Sequence, residues 1–143
     1  MQLRSLLFVP GDSERKFEKA SAIGADALIL DLEDAVAPEQ KDRARVLVAR
    51  LIKDNQVRSK RQNGWSFFVR VNDLGSGLTL KDLSAVVRPG LDAILVPKSN
   101  GAQDIETISH YLDALEENAG MELGTVKIAV VSTETPTAMF NLG

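Results

Sequence analysis

Cysteine is absent from the 143 residues. That absence excludes disulfides, zinc thiolates and thiol nucleophiles together, and it fits a reducing compartment. Long apolar runs are missing too. The longest, such as "AILVP" and "KIAVV", fall far short of the roughly 20 residues a membrane helix needs, and the N-terminus carries no signal-peptide pattern. A cytoplasmic protein without a membrane span is the expectation. Basic blocks are also lacking: 17 Lys and Arg against 20 Asp and Glu leave a net charge of −3, with no cluster dense enough to track a phosphate backbone. Nucleic acid is not an expected partner. The densest basic stretch, Arg58 to Arg61, lies between predicted elements and reads as a solvated loop.

What is present suits one globular domain over residues 1–143. Hydrophobic residues make up 44% and charged residues 26%, enough for a core of ordinary size, and no repeat or linker divides the chain. Runs rich in Leu, Ile, Val and Phe recur at 3–9, 27–32, 66–71, 93–97 and 127–132, bounded by turn or charged residues. Their near-continuous apolar character suits strands covered on both faces, as in parallel sheets. Between them lie helical patterns. "DSERKFEKASAIG" offers Asp12 or Ser13 as a cap, Phe17, Ala20 and Ile23 on one face and Gly24 as a stop. Pro38 opens a stretch in which Ala44, Leu47, Val48 and Leu51 fall at i, i+3, i+4, i+7. "LTLKDLSAVV" and "AQDIETISHYLDALEENAG" supply two more. The order β-α-β-α-β-α-β-α-β implies right-handed βαβ units, in either an open doubly wound sheet or a (β/α)₈ barrel. After the fifth strand, "TPTAMFNLG" reads as the opening of another helix. A complete barrel takes about 250 residues, so the chain reads as a fragment.

In such folds ligands bind outside the carboxyl ends of the strands, and all five predicted ends carry polar residues: Pro10-Gly11-Asp12-Ser13, Asp31-Leu32-Glu33-Asp34, Arg70-Val71-Asn72-Asp73, Pro97-Lys98-Ser99-Asn100 and Thr133-Glu134-Thr135. Because side chains alternate along a strand, Asp31 and Glu33 share a face, and so do Arg70 and Asn72. Carboxylates without nearby His or Cys suit a hard cation such as Mg²⁺, and an arginine adds a two-pronged grip for a carboxylate or phosphate. A cation beside an arginine is a device for holding an oxo- or hydroxy-acid and stabilising a developing enolate. Other residues read as structural. His110 lies in the fourth helix away from every strand end, Trp65 and Phe67 are expected to plug the lower end of a barrel, and Gly75 and Gly77 fit a turn rather than a phosphate loop. Lys98 reads as a charge partner rather than a Schiff base.

The segments "RSLLFVPGDSERKFEKA", "GADALILDLEDAVAPEQKDRAR", "FVRVND", "AILVPKSN" and "TETPTAMF" resemble the HpcH/HpaI aldolase and citrate lyase β-subunit family over nearly the whole chain. The resemblance implies a partial TIM (β/α)₈ barrel of the α/β class, with five parallel strands alternating with helices, forming the N-terminal part of a longer barrel. It implies a Mg²⁺-dependent carbon–carbon lyase acting on a 3-hydroxyacyl-CoA thioester such as citryl-CoA or malyl-CoA, a homo-oligomer, with this fragment alone inactive. It points to Arg70 and Glu134 as catalytic and substrate-binding residues, Pro10 and Gly11 as further substrate contacts, Glu134 as a metal ligand, and Glu33 and Asp34 as acids beside the metal. Where many relatives read Glu-Thr-Ala-Arg-Gly, this chain reads Glu134-Thr135-Pro136-Thr137-Ala138, and the usual Glu after Pro-Lys-Val is missing, differences that bear on the substrate. The rival readings are a metal-dependent pyruvate aldolase, a CoA thioesterase of the same family, and a non-catalytic binding or assembly subunit.

Overall fold

The computed structural model describes residues 4–59, 64–97, 101–132 and 139–142. Strands β1 (Leu6–Pro10), β2 (Ala27–Asp31), β3 (Ser66–Arg70), β4 (Ala93–Val96) and β5 (Lys127–Ser132) alternate with helices α1 (Glu14–Ser21), α2 (Lys41–Ser59), α3 (Thr79–Val86) and α4 (Ala102–Asn118). The five strands are parallel and pair in chain order, β1-β2-β3-β4-β5. A doubly wound sheet would reverse its strand order at a switch point. This sheet never does, so the connections all wind one way and the architecture is that of a partial (β/α)₈ barrel.

The two faces of the sheet confirm the winding. Toward one side, Leu28, Leu30, Phe67, Val69, Ile94 and Ile128 pack into a single core with Phe17 of α1, Val48 and Ile52 of α2, Leu83 of α3 and Ile108 of α4. The opposite face holds a smaller cluster, Ala27, Ile29, Phe68, Ala93, Leu95 and Ala129, with Leu6 packed against it and no helical residue among its members. Period-two alternation thus sorts each strand into a helix-facing set and a barrel-facing set.

The helices form for the reasons the sequence suggests. Ser13 caps α1 by accepting from the Lys16 amide at 3.2 Å, and Ala44, Val48, Leu51 and Ile52 line the buried stripe of α2. Pro38–Gln40 makes a 3₁₀ turn that leads into α2, where a proline's missing N–H costs nothing. Among the described residues no helix is long and apolar enough to cross a membrane.

Four expectations are corrected. Residues Met139–Leu142 form a sixth strand, β6, antiparallel to β5, rather than opening a helix: the outer edge of β5 carries backbone groups that need partners, and an extended segment supplies them. Phe67 faces the helices, because Phe68 takes the barrel side; with Trp65 and Phe17 it builds an aromatic cluster with ring centroids 5.6–5.9 Å apart, not a plug in the barrel. Ile23 lies beyond the end of α1 and is exposed. Helix α2 runs through Ser59, so Arg58 is helical, while Lys60 and Arg61 lie outside the described residues.

Candidate active site

Strand register assembles the site. Pro10 pairs with Asp31, Asp31 with Arg70, Arg70 with Leu95 and Leu95 with Ala129, one row across the carboxyl end of the sheet. Asp31 and Arg70 lie on the barrel side and meet in a bidentate pair: Arg70 Nε donates to Asp31 Oδ1 at 2.9 Å and Nη2 to Oδ2 at 2.7 Å. Charge and planar geometry both match. The guanidinium reaches on over the Phe8 ring, 4.9 Å from its centroid, and Glu33 Oε1 lies 3.6 Å from Arg70 Nε.

Beyond Asp31 the chain leaves the sheet in a turn wrapped around the same carboxylate. The amide of Glu33 donates to Oδ1 at 2.8 Å and that of Ala35 to Oδ2 at 2.9 Å, the local side-chain-to-backbone bonding that favours aspartate at turns. Asp31 is 1% exposed, and burial alone would raise its pKa. The Arg70 hydrogen bond and the two amides outweigh burial and hold it below the ordinary carboxylate range. Arg70 is raised in turn, first by its hydrogen bond to Asp31, with Glu33 and Asp34 adding field.

Gly11 packs beneath this row. Its amide donates to the Asp31 carbonyl at 2.8 Å, and a Cβ there would stand 2.6 Å from that oxygen and 3.2 Å from a Val48 methyl. No side chain fits, whatever Gly11 adds to ligand contact.

Of the residues singled out in the sequence, Asp31, Glu33 and Arg70 converge, with Pro10 in register beside them. Asp34 stays on the exposed rim of the turn. Asn72 does not join Arg70: β3 ends at Arg70, strand alternation ends with it, and Asn72 turns toward the helices. Its amide nitrogen donates to the Leu32 carbonyl at 2.9 Å and to Asp82 Oδ2 at 2.7 Å. Glu134 lies outside the described residues, as do Lys98, Ser99, Asn100, Thr133 and Thr135.

Three polar residues escaped the sequence reading: Lys41, Arg45 and Asp82. Asp82, fully buried on α3, also accepts from the Asn72 amide at 2.7 Å and from Arg45 Nε at 2.7 Å. Lys41 donates to the Leu32 carbonyl at 2.8 Å, and to the Glu33 carbonyl and Asn72 Oδ1 at 3.0 Å each. A signal for two of them was present. Arg45 falls at i, i+3, i+7 with Val48 and Ile52, and Asp82 lies three residues after Thr79, so each sits on its helix's buried face.

Among the described residues no group of three or more His, Cys, Asp or Glu side chains is placed to hold a metal ion. Asp31 already spends both oxygens on Arg70 and the turn amides. The described carboxylates therefore do not make a cation site by themselves.

The HpcH/HpaI aldolase/citrate lyase family model matches residues 4–143. Citrate lyase subunit beta of Haemophilus influenzae is 37% identical over 133 residues, 93% of this chain and 44% of the relative. A (3S)-malyl-CoA thioesterase of Cereibacter sphaeroides is 39% identical over 120 residues, 83% of this chain and 40% of the relative. Among solved structures, the citrate lyase beta subunit from M. tuberculosis complexed with oxaloacetate and magnesium matches with a TM-score of 0.58 at 32% identity, over 72% of this chain and 42% of that one. The chain spans less than half the length of each of these relatives.

Proposed function

Since the chain belongs to the HpcH/HpaI aldolase/citrate lyase family, we propose that it forms the substrate-gripping part of a Mg²⁺-dependent carbon–carbon lyase. The substrate is a 3-hydroxyacyl-CoA thioester of the citryl-CoA or malyl-CoA kind, cleaved to an acyl-CoA and a 2-oxo acid. The observation that carries this reading is the Asp31–Arg70 pair. Asp31 occupies the Nε/Nη2 side of the guanidinium, and among the described residues no hydrogen bond engages Nη1. The Nη1/Nη2 end is the edge left for a ligand carboxylate or polarised carbonyl oxygen. Arg70 is 20% exposed at the side chain where Asp31 is 1%, so of the two partners the arginine is the one a ligand can reach.

In the reaction the 3-hydroxyl loses its proton, the bond between C2 and C3 breaks, and the electron pair passes to the thioester as an enolate that is then protonated at carbon. Arg70 holds the oxo-acid end throughout, and its fixed orientation keeps that end in line with the breaking bond. A bound Mg²⁺ supplies positive charge to the oxo-acid oxygens. We assign Glu134 as its ligand, with Glu33 and Asp34 as neighbouring acids and Pro10 and Gly11 as substrate contacts. The M. tuberculosis relative, in complex with oxaloacetate and magnesium, supports this reading.

The 39% identity to a malyl-CoA thioesterase favours a second reading, hydrolysis of the thioester. One assay on the complete protein separates them: a lyase releases acyl-CoA and a 2-oxo acid, a thioesterase releases free CoA. Arg70→Lys keeps the charge and loses the fork, and is expected to lower kcat/KM on the order of 10²–10³-fold with Mg²⁺ binding retained. Glu134→Gln is expected to abolish the Mg²⁺-dependent activity, since an amide lacks the charge that holds a hard cation. Full activity in Arg70→Lys rules out the assignment of Arg70.

A further inference from the structure

The grip on Arg70 has an anchor of its own, outside the groups that touch a substrate. Leu32 C=O and Glu33 N–H belong to one peptide unit. In a trans peptide these two groups point in opposite directions, so fixing one end aims the other. Lys41 Nζ holds the oxygen end at 2.8 Å, and the amide end donates to Asp31 Oδ1 at 2.8 Å. The same oxygen of Asp31 receives Arg70 Nε at 2.9 Å. From these contacts we propose that Lys41 is a positioning residue for Arg70. This rests on the reading of Arg70 as the group that binds the substrate carboxylate.

The chemistry of lysine suits the place. An ammonium has three donors and no acceptor, and Lys41 meets three oxygens, those of Leu32, Glu33 and the Asn72 side chain. It thereby ties the loop after β2 to the loop after β3, the two segments that follow Asp31 and Arg70. Its charge also polarises the Leu32–Glu33 peptide unit, strengthening the amide's donation to Asp31. Asn72 shares the Leu32 oxygen, so loss of Lys41 loosens the turn without leaving that carbonyl bare. A graded loss of alignment follows, not collapse of the fold.

The test is a double-mutant cycle in the complete protein. Lys41→Met keeps the length of the stem and removes charge and donors. With Arg70 present it is expected to lower kcat/KM roughly tenfold to a hundredfold, since small misplacements of a positioning group have effects of that size. In an Arg70→Lys background the same change is expected to cost no more than about twofold. An equal loss in both backgrounds means a general structural role and overturns the proposal. Lys41→Gln, with one donor pair retained, carries the same cycle if the Met variant does not fold. A second readout does not depend on turnover: the Arg70 Nε–H resonance, assigned by its disappearance in Arg70→Lys, is expected to exchange faster with solvent in Lys41→Met. An unchanged resonance overturns the proposal even if the wild-type protein proves to cleave no CoA thioester, an outcome that would refute the lyase reading alone.

Discussion

Asp31 is buried with its carboxyl held below the ordinary value of 3.8, so over the pH range beneath that value the folded chain binds fewer protons than the unfolded one. The stability it contributes is complete above the ordinary carboxylate pKa and is lost as pH falls through the lowered one. Asp31→Asn strands the Arg70 charge and is expected to cost about 3 kcal/mol at neutral pH, a difference that shrinks in denaturant titrations run at progressively lower pH. Asp92 has the opposite sign. Burial raises its pKa, only partly offset by the Phe67 amide, so its contribution is lost as pH rises through the raised value. Asp92→Asn is expected to melt slightly higher than wild type at pH 7 and equally with it near pH 4. The convergence of Asp31, Glu33 and Arg70 was legible because alternation along a strand is geometric. Asn72 was not legible, since two residues past a strand end the alternation carries no information. Nor was the Arg45–Asp82 pair, whose members are 37 positions apart in sequence and whose pairing only the docking of α2 on α3 reveals.

At the scale of elements, packing between α2 and the turn before β4 sets a tight tolerance. Gly90 has φ 109°, and a Cβ there would lie 2.5 Å from the Ile52 carbonyl oxygen, a backbone atom that cannot swing aside. Gly90→Ala therefore combines a left-handed backbone with a clash, and is expected to destabilise by about 2–4 kcal/mol in chemical denaturation. The helices themselves were readable from their apolar stripes. Their ends were less so: α1 stops before Ile23, and α2 continues to Ser59, into the stretch read as a loop. Met139–Leu142 was read as helical because a short apolar segment carries no decisive period. The edge of β5 decided its conformation, and that edge exists only after the sheet has formed.

For the molecule as a whole, the sheet has two open margins. Among the described residues β1 and β6 are each hydrogen-bonded on one side only, and Phe8, on the barrel side of β1, is 47% exposed. Unpaired margins and uncovered apolar surface favour association, so light scattering on this chain is expected to show species heavier than the 15.5 kDa monomer, growing with concentration. A constant monomer mass would refute this. The overall architecture was legible down to two candidate topologies, because strict β-α alternation leaves no more, and strand order, which only the folded sheet shows, selects between them.

Chain-order pairing also bears on how the structure is reached. Every strand from β2 to β5 hydrogen-bonds to the strand made immediately before it, so none of these four waits for a distant partner to begin pairing, and the loops to be closed span only one intervening helix. A growing chain can add each βα unit to a finished margin as it leaves the ribosome. The order of synthesis is then the order of assembly. Asp31 would be in place before Arg70 is made, a carboxylate already seated in its turn when the guanidinium it orients arrives.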